Sequence, residues 1–584
     1  MDDKTFVEKQ FFWAEANVFH IFSFLLLKGN PATALKEPNS VVLTEEMAEK
    51  YFGSQDPIGQ TITHENEREL KVTGVVKNIP ENSHFKFDFL GSFGTLNDII
   101  GTKLLTSNWG RNNYLTYVLL RKGISPDVLR EKIPGFLDRH IGQLVVNSTG
   151  HPPSRPPSEG TLLYLQKLTD IHLHSHLTTE LEQNGDITNV YLFTTIALFI
   201  LLIACINFMN LATARSAKRA REIGLRKVLG AYRKQLIQQF LGESIYISLM
   251  AMFLAIVFVE VALPYYNDFT GKSLSLAYWD NPLIIVGLIL ITFLVGLLSG
   301  SYPAFMLSSF RPVSVLKGED RSSKRSTFRT VLVVGQFTIS IALIISMGVV
   351  YHQMQYFRSK KLGFNKDQVV VLPSSAQMRD NMESFKNRLM QNSNILQVTH
   401  SRLIPSDKLL NSWGGRIVDG EEPQPLNFRL AVVEVGYDFF DTYQMNLVAG
   451  RTFAKQYSTD DSAAFVLSQA AIQQLRWSQN EAIDKPLLYG NRRGRVIGVV
   501  EDMHFESLHN KIVPIIFLIS ESTSYKISLR ISGHDIPATL AFLKNIWNEY
   551  RPDYPFEYRF LDEEIQARYE SEQKLGQIFG IFSM

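Results

Sequence analysis

The sequence predicts an α+β membrane protein in which a four-span transmembrane helical segment sits between two repeated α+β domains that face away from the cytoplasm. Residues 188–352 hold four long apolar stretches in a chain whose remainder reads as water-soluble protein. The basic residues between those stretches fall almost entirely on one side, and two short patterns recur at one fixed offset.

The stretches run Val190–Ala214, about Ser244–Leu263, Pro282–Phe310 and Thr330–Phe357. Each is long enough to cross ~30 Å of hydrocarbon at ~1.5 Å per residue. The loop after the first carries Arg215, Lys218, Arg219, Arg221, Arg226, Lys227, Arg233 and Lys234 against Glu222. The loop after the third carries Arg311, Lys317, Arg321, Lys324, Arg325 and Arg329 against Glu319 and Asp320. Between the second and third there is only Asp268, Lys272 and Asp280. Excess Lys and Arg marks cytoplasmic loops, so residues 1–187 and 358–573 are expected on the far side of the bilayer. Tyr265, Tyr266, Tyr278, Trp279, Tyr351 and Tyr356 fall near the outer ends, where aromatic rings favour the interface.

Asn207 and Asn210 lie one turn apart near the cytoplasmic end of the first span, and Gly296 and Gly300 form a GxxxG in the third. Amides in hydrocarbon need partners, and small residues let backbones approach, so these four predict helix packing in a bundle. Glu260, near the outer end of the second span, reads as a snorkelling boundary residue.

At 584 residues and 20% charged, the chain is too long for one core and too polar to be all membrane, giving three or four units. A net charge of +2 favours neither nucleic acid nor an acidic ligand, and the basic runs already have a topological explanation, so no nucleic-acid partner is expected. The one cysteine, Cys205, lies in the first span, which excludes an intrachain disulfide and a thiolate-rich metal site. Met1-Asp-Asp-Lys4 shows no secretory signal, and the apolar run Phe19–Leu27 is short and interrupted.

A phosphate-binding loop needs GxxxxGK[ST], and the one candidate, Gly271-Lys272-Ser273, has Tyr266 where the first glycine belongs. The chain is therefore expected to be no enzyme and to hold no cofactor, any ATP being bound by a partner subunit. No GxSxG is present, and paired carboxylates such as Glu45/Glu46 and Asp460/Asp461 read as helix-start or loop charges. His172, His174 and His176 alternate, which on a strand would put all three on one face, but no carboxylate or cysteine shell accompanies them and no metal is expected.

The outward domains repeat each other. Val42-Leu43-Thr44 returns as Val466-Leu467-Ser468, and Val72–Val76 returns as Val496–Val500, both 424 residues on. Thr44 and Ser468 are placed to cap the helix that follows, and the valine alternation predicts a strand.

Arg221–Tyr232 puts Leu225, Val228, Leu229 and Tyr232 at i, i+3, i+4 and i+7, predicting a short amphipathic helix that either rests in the interface or docks a cytoplasmic partner. The stretch RSAKRAREIGLRKVLGAYRKQLIQQFLGES, residues 215–244, resembles the signature cytoplasmic loop of the FtsX-like permease family. The exit from the third span, Gly300–Phe305 and Phe310–Gly318, resembles a second landmark of that family, and VVLTEEMAEKYFGSQDPIGQTI with NSHFKFDFL resembles the MacB-like periplasmic core domain.

The resemblance implies an organisation with a first core domain over 1–187, an FtsX-like permease domain over 188–327 with a coupling loop at 215–243, a fourth span at 328–357, a second core domain over 358–573 and the start of a further span at 574–584. Duplicated members have a span before each outer domain and three after it, so the resemblance also implies a fragment cut at both ends. It implies the permease subunit of a mechanotransmission ABC transporter for export or efflux in the bacterial inner membrane. Its expected partners are a cytoplasmic ABC ATPase dimer, the lipid bilayer and a periplasmic adaptor or outer-membrane channel. Glu222, Gly224, Arg226, Lys227 and Gly230 would form the ATPase-docking element. The alternatives are a regulatory protein that activates a cell-wall hydrolase or sensor kinase, and an inactive remnant.

Overall fold

The computed structural model describes residues 5–101, 109, 113–149, 151–153, 155–177, 179–279, 281–309, 323–412, 414–418, 423–520 and 525–583. It divides into two compact units, residues 6–319 and residues 320–584 with 1–5.

The first unit opens with a mixed sheet of six strands: β1 (Phe11–Ala14), β2 (Leu26–Gly29), β3 (Ser40–Thr44), β4 (Thr61–His64), β5 (Arg68–Val76) and β6 (Phe89–Ser92). Their order is β1-β6-β3-β5-β2, with β4 also paired to β5. The valine-rich β3 is buried along its whole length, as expected of a strand covered on both faces. Helix α1 (Glu45–Phe52) follows it directly, and the Thr44 hydroxyl accepts from the Met47 N–H at 3.4 Å, satisfying one free donor of the first turn. Glu45 and Glu46 sit in that first turn, where carboxylates suit the helix dipole.

Three of the four apolar stretches complete this unit as α2 (Ile187–Val228), α3 (Arg233–Thr270) and α4 (Pro282–Ser308). The fourth is α5 (Ser323–Ser359) in the second unit. Each contains a segment long and apolar enough to span a bilayer, Ile187–Ala214, Arg233–Thr270, Pro282–Ser308 and Thr330–Phe357.

The small residues of α4 lie against α3. A Cβ on Gly296 would come within 2.9 Å of Ile245, and one on Gly300 within 2.6 Å of Ser244. Thr292, Ser299, Pro303 and Ala304 extend the same buried face, so the GxxxG lets two helices meet backbone to backbone. Asn207 differs from expectation: it is exposed and Asn210 only partly buried, while the neighbouring Cys205 and Ile206 turn inward. The packed face of α2 is thus set by apolar side chains. Glu260 is not a lone boundary charge, since it accepts a hydrogen bond from the Tyr278 hydroxyl at 2.9 Å.

The second unit carries β7 (Val369–Pro373), α6 (Met382–Leu389), β8 (Ile395–Ser401), β9 (Gly415–Ile417), β10 (Gln424–Pro425), β11 (Ala431–Val435), α7 (Phe439–Thr442), β12 (Leu447–Gly450), β13 (Ala464–Ser468) and α8 (Gln469–Gln474). It continues through β14 (Pro486–Tyr489), β15 (Arg492–Val500), β16 (Ile515–Ile519), β17 (Lys526–Ile531), α9 (Ile536–Tyr550), β18 (Arg559–Phe560), α10 (Leu561–Arg568) and α11 (Glu570–Ser583).

Within its sheet, β11-β16-β13-β15-β12 with β14 on β15 reproduces the first domain strand for strand. Even the irregularities coincide. The parallel pair β3–β5 slips register between Val41 and Val42, and β13–β15 slips between Phe465 and Val466, 424 residues on. The Ser468 hydroxyl accepts from Ala471 N–H at 3.3 Å, as Thr44 does for Met47.

Beyond β11 the second sheet continues through β8, β17, β7 and β18. Helices α6 and α9 cover one face of that extension with a core that includes Val370, Leu372, Phe385, Leu389, Leu529 and Trp547. Polar pins join the extension to the rest. The buried Arg530 guanidinium donates to the carbonyls of Thr442, Asn365 and Asp367 at 2.6, 2.8 and 3.0 Å, and the Tyr443 and Ser528 hydroxyls meet at 2.7 Å. Burial pushes the Tyr443 phenol up and the Arg530 guanidinium down from their ordinary values.

Two glycines of α11 lie along α5, with Gly580 close enough that a Cβ would meet the Met347 methyl at 3.3 Å and Gly576 opposite Val350 and Met354. Tyr569 anchors the foot of this pair: its hydroxyl accepts from the Leu508 N–H at 2.8 Å while its ring stacks on Phe357.

Candidate functional site

The basic segment after the first span does not form a separate helix. α2 runs unbroken from Ile187 to Val228, because nothing between Ala214 and Val228 stops it and its Arg, Lys, Ala and Glu residues favour helix. The interfacial-helix expectation for Arg221–Tyr232 is therefore replaced by a long helix ending in a tight elbow.

The elbow's geometry comes from its cap. Gly230 has φ +99°, a left-handed conformation that glycine adopts without Cβ strain. The Ala231 N–H donates to the Arg226 carbonyl at 3.0 Å and the Gly230 N–H to the Lys227 carbonyl at 3.1 Å, the paired bonds of a Schellman stop. Tyr232 then starts α3, its N–H donating to the Gln235 side-chain oxygen at 3.0 Å.

Below the elbow, Ile223 is buried with Leu236 and Phe240 of α3 and Ala304 and Leu307 of α4. The Lys227 ammonium donates to the Ser308 carbonyl at 2.6 Å, and Arg233 Nε to the Ser308 hydroxyl at 3.4 Å. Two cations thus sit at the C-terminal end of α4, where the free carbonyls and the helix dipole favour positive charge. Burial and the neighbouring Arg233 hold the Lys227 ammonium below its ordinary value.

The outward face carries Leu225, Val228, Leu229 and Tyr232, and the last two are 79% and 76% exposed. Arg226 lies beside them, bonded to Glu222 at 2.7 Å and Gln239 at 3.2 Å. The sequence-predicted docking residues therefore separate: Glu222, Arg226 and Gly230 are exposed, Gly224 is buried, and Lys227 points back to α4. Sequence reasoning missed Ile223 and Ser308. Ile223 sits one step off the apolar stripe, and the Ser308 carbonyl has no signature beyond ending a helix.

Other sequence candidates are placed elsewhere. Ile171–His174 forms one helical turn, not a strand, so the three histidines do not share a strand face. Among the described residues no group of three His, Cys, Asp or Glu is arranged to hold a metal ion. Gly271 is the left-handed cap that ends α3, with φ +68°. The second basic loop, residues 310–322, lies outside the described residues.

Comparison with known proteins bears on the whole arrangement. The MacB-like periplasmic core domain family matches residues 3–135 and 330–538, over half of the chain, and the FtsX-like permease C-terminal family matches 194–312. The chain belongs to the MacB-like, FtsX-like permease family. Its relatives include the macrolide export ATP-binding/permease protein MacB of Bdellovibrio bacteriovorus, 28% identical over 48% of this chain and 38% of that protein. The uncharacterized ABC transporter permease YknZ of Bacillus subtilis is 25% identical over 48% of this chain and 61% of that protein. The matched stretch thus spans less than two thirds of either relative. Among solved structures, the periplasmic region of MacB from Actinobacillus actinomycetemcomitans aligns with TM-score 0.26 and 18% identity, covering 35% of this chain and 94% of that one.

Proposed function

We propose that this chain is the permease subunit of an ABC transporter of the mechanotransmission kind in the bacterial inner membrane. A separate cytoplasmic ATPase docks on the elbow at residues 222–232, and its movement is passed through the membrane helices to the two extracytoplasmic domains, for export. The observation that carries this reading is the elbow itself. It joins two long apolar helices, is pinned to a third through Lys227 and Ser308, and presents uncovered Leu229 and Tyr232 flanked by Arg226. Exposed apolar side chains rimmed by charge are the usual composition of a docking surface.

The test is co-purification of the ATPase from membranes. Leu229→Asp with Tyr232→Asp is expected to reduce recovery at least ~10-fold while insertion is unchanged, since interface anchors are worth roughly 1–4 kcal/mol each. Arg226→Glu should give a smaller loss. Lys227→Glu acts differently, by placing an anion at the end of α4. ATPase recovery unchanged in the double variant would remove the docking assignment.

A further inference from the structure

Where the second domain's extension meets its six-strand unit, the sheet narrows. β8 and β11 are paired through the single register pair Val435–Ser401, reinforced by Gly436 N–H to the His400 carbonyl at 2.8 Å and Arg402 N–H to the Glu434 carbonyl at 2.9 Å. On one rung of this neck, His400 packs so closely on Gly436 that a Cβ there would lie 2.8 Å from the ring. His400 is only 8% exposed and its Nε2 has no hydrogen-bond partner. It borders a cavity of about 10 Å³, room for about one water, lined also by Glu383, Lys386, Tyr437, Asp438 and Lys455.

The charges around it come from both sides of the neck. From α6 come Glu383 and Lys386, from the turn after β11 comes Asp438, and Lys455 follows β12. Lys455 pairs with Glu383 at 2.6 Å, and Lys386 pairs with Asp438. On the next rung Arg402 pairs with Glu434 at 2.9 Å. Among the described residues, Glu383 and Asp438 at the cavity and Glu434 on the next rung are each engaged by a cation, and both ion pairs at the cavity bridge the extension and the six-strand unit.

We propose that this neck is a proton-operated hinge in which His400 is the proton acceptor and acidification releases α6 and β8 from the six-strand unit. A proton on His400 would add a buried cation to a balanced set, with both carboxylates of the cavity already taken. Swinging α6 outward about the Arg530 pin hydrates the imidazolium and frees Glu383 or Asp438 to pair with it. The linkage has the matching sign. Burial, ahead of the surrounding charges, holds the His400 imidazole down at about 4 in the closed form, against an ordinary value of 6.5. The closed form therefore binds fewer protons than the open one, is unaffected above pH 7.5, and loses ground as pH falls from 6.5 towards 4.

Hydrogen exchange of the full chain in lipid nanodiscs, corrected for intrinsic rates, reads the opening directly. Between pH 7.5 and 5, protection over residues 381–401 should fall by up to ~30-fold, the linkage factor for that change in proton affinity, while 464–500 holds steady. In His400→Gln the selective fall should vanish. An equal fall in both proteins, or none in the unmodified chain, overturns the hinge. Should the variant fail to fold, exchange of the His400 imidazole C2 proton decides: a midpoint below 5 supports the proposal and one near 6.5 sinks it.

Discussion

The two sheet domains start from one six-strand unit and diverge in what surrounds it. In the second, β17 lies between β8 and β7 with Ile527, Leu529 and Ile531 fully buried, and α9 closes a separate core around Trp547. In the first, the similar run Tyr117-Val-Leu-Leu-Arg121, followed by Ser125-Pro126 as β17 is followed by Ile536-Pro537, forms no strand, and Val118 and Leu119 are 55% and 68% exposed. The same β-rich pattern is thus a buried strand in one setting and exposed coil in the other. Strand propensity is decided by the neighbours that receive it, more than by the residues themselves.

Truncating the anchors of the two settings should show the largest difference. Trp547 is 2% exposed and its indole N–H donates to the Tyr554 carbonyl at 3.0 Å, whereas Phe136, on the first-domain helix Ile133–Thr149, is 42% exposed. Trp547→Ala is expected to cost about 3–5 kcal/mol and Phe136→Ala under about 1 kcal/mol, read as shifts in urea midpoints of limited proteolysis. Similar shifts would break the comparison.

A smaller effect distinguishes the units that do match. Gly74 and Gly498 occupy equivalent places in β5 and β15, 424 residues apart. A Cβ at Gly498 would run into the Arg451 carbonyl oxygen, whereas one at Gly74 would meet Val42 Cγ2 at 3.2 Å and the Lys28 carbonyl at 3.3 Å. The contact at Gly498 is the far closer one and is with backbone, which yields less than a side chain, so Gly498→Ala should cost about 1–3 kcal/mol and Gly74→Ala under about 1 kcal/mol by the same assay. The reverse order would show that the second unit is the looser of the two.

What the sequence revealed follows this division. The four apolar stretches, the caps at Thr44 and Ser468 and the 424-residue repeat were legible because length, capping chemistry and periodicity are local properties. The continuous α2 was not, since an amphipathic stripe at 225–232 looks the same whether its helix is separate or extends the span before it. Within the elbow, Arg226 and Lys227 were singled out together through the family resemblance, and their shared basic setting does not separate them. The turning of Lys227 to Ser308 depends on α4, 81 residues away in sequence, and could not be read locally. The exposure of Asn207 in this chain was not legible for a related reason: a polar residue in an apolar helix signals a need for partners but not which face meets them.

Site-specific thiol labelling in intact cells, in a Cys205→Ser background, tests the sidedness on which the elbow's role depends. Single cysteines at exposed Ser54 and Gln479 should react with a membrane-impermeant maleimide, and one at Leu229 should react only after lysis. Labelling of Leu229 in unbroken cells with Ser54 and Gln479 protected would contradict the account.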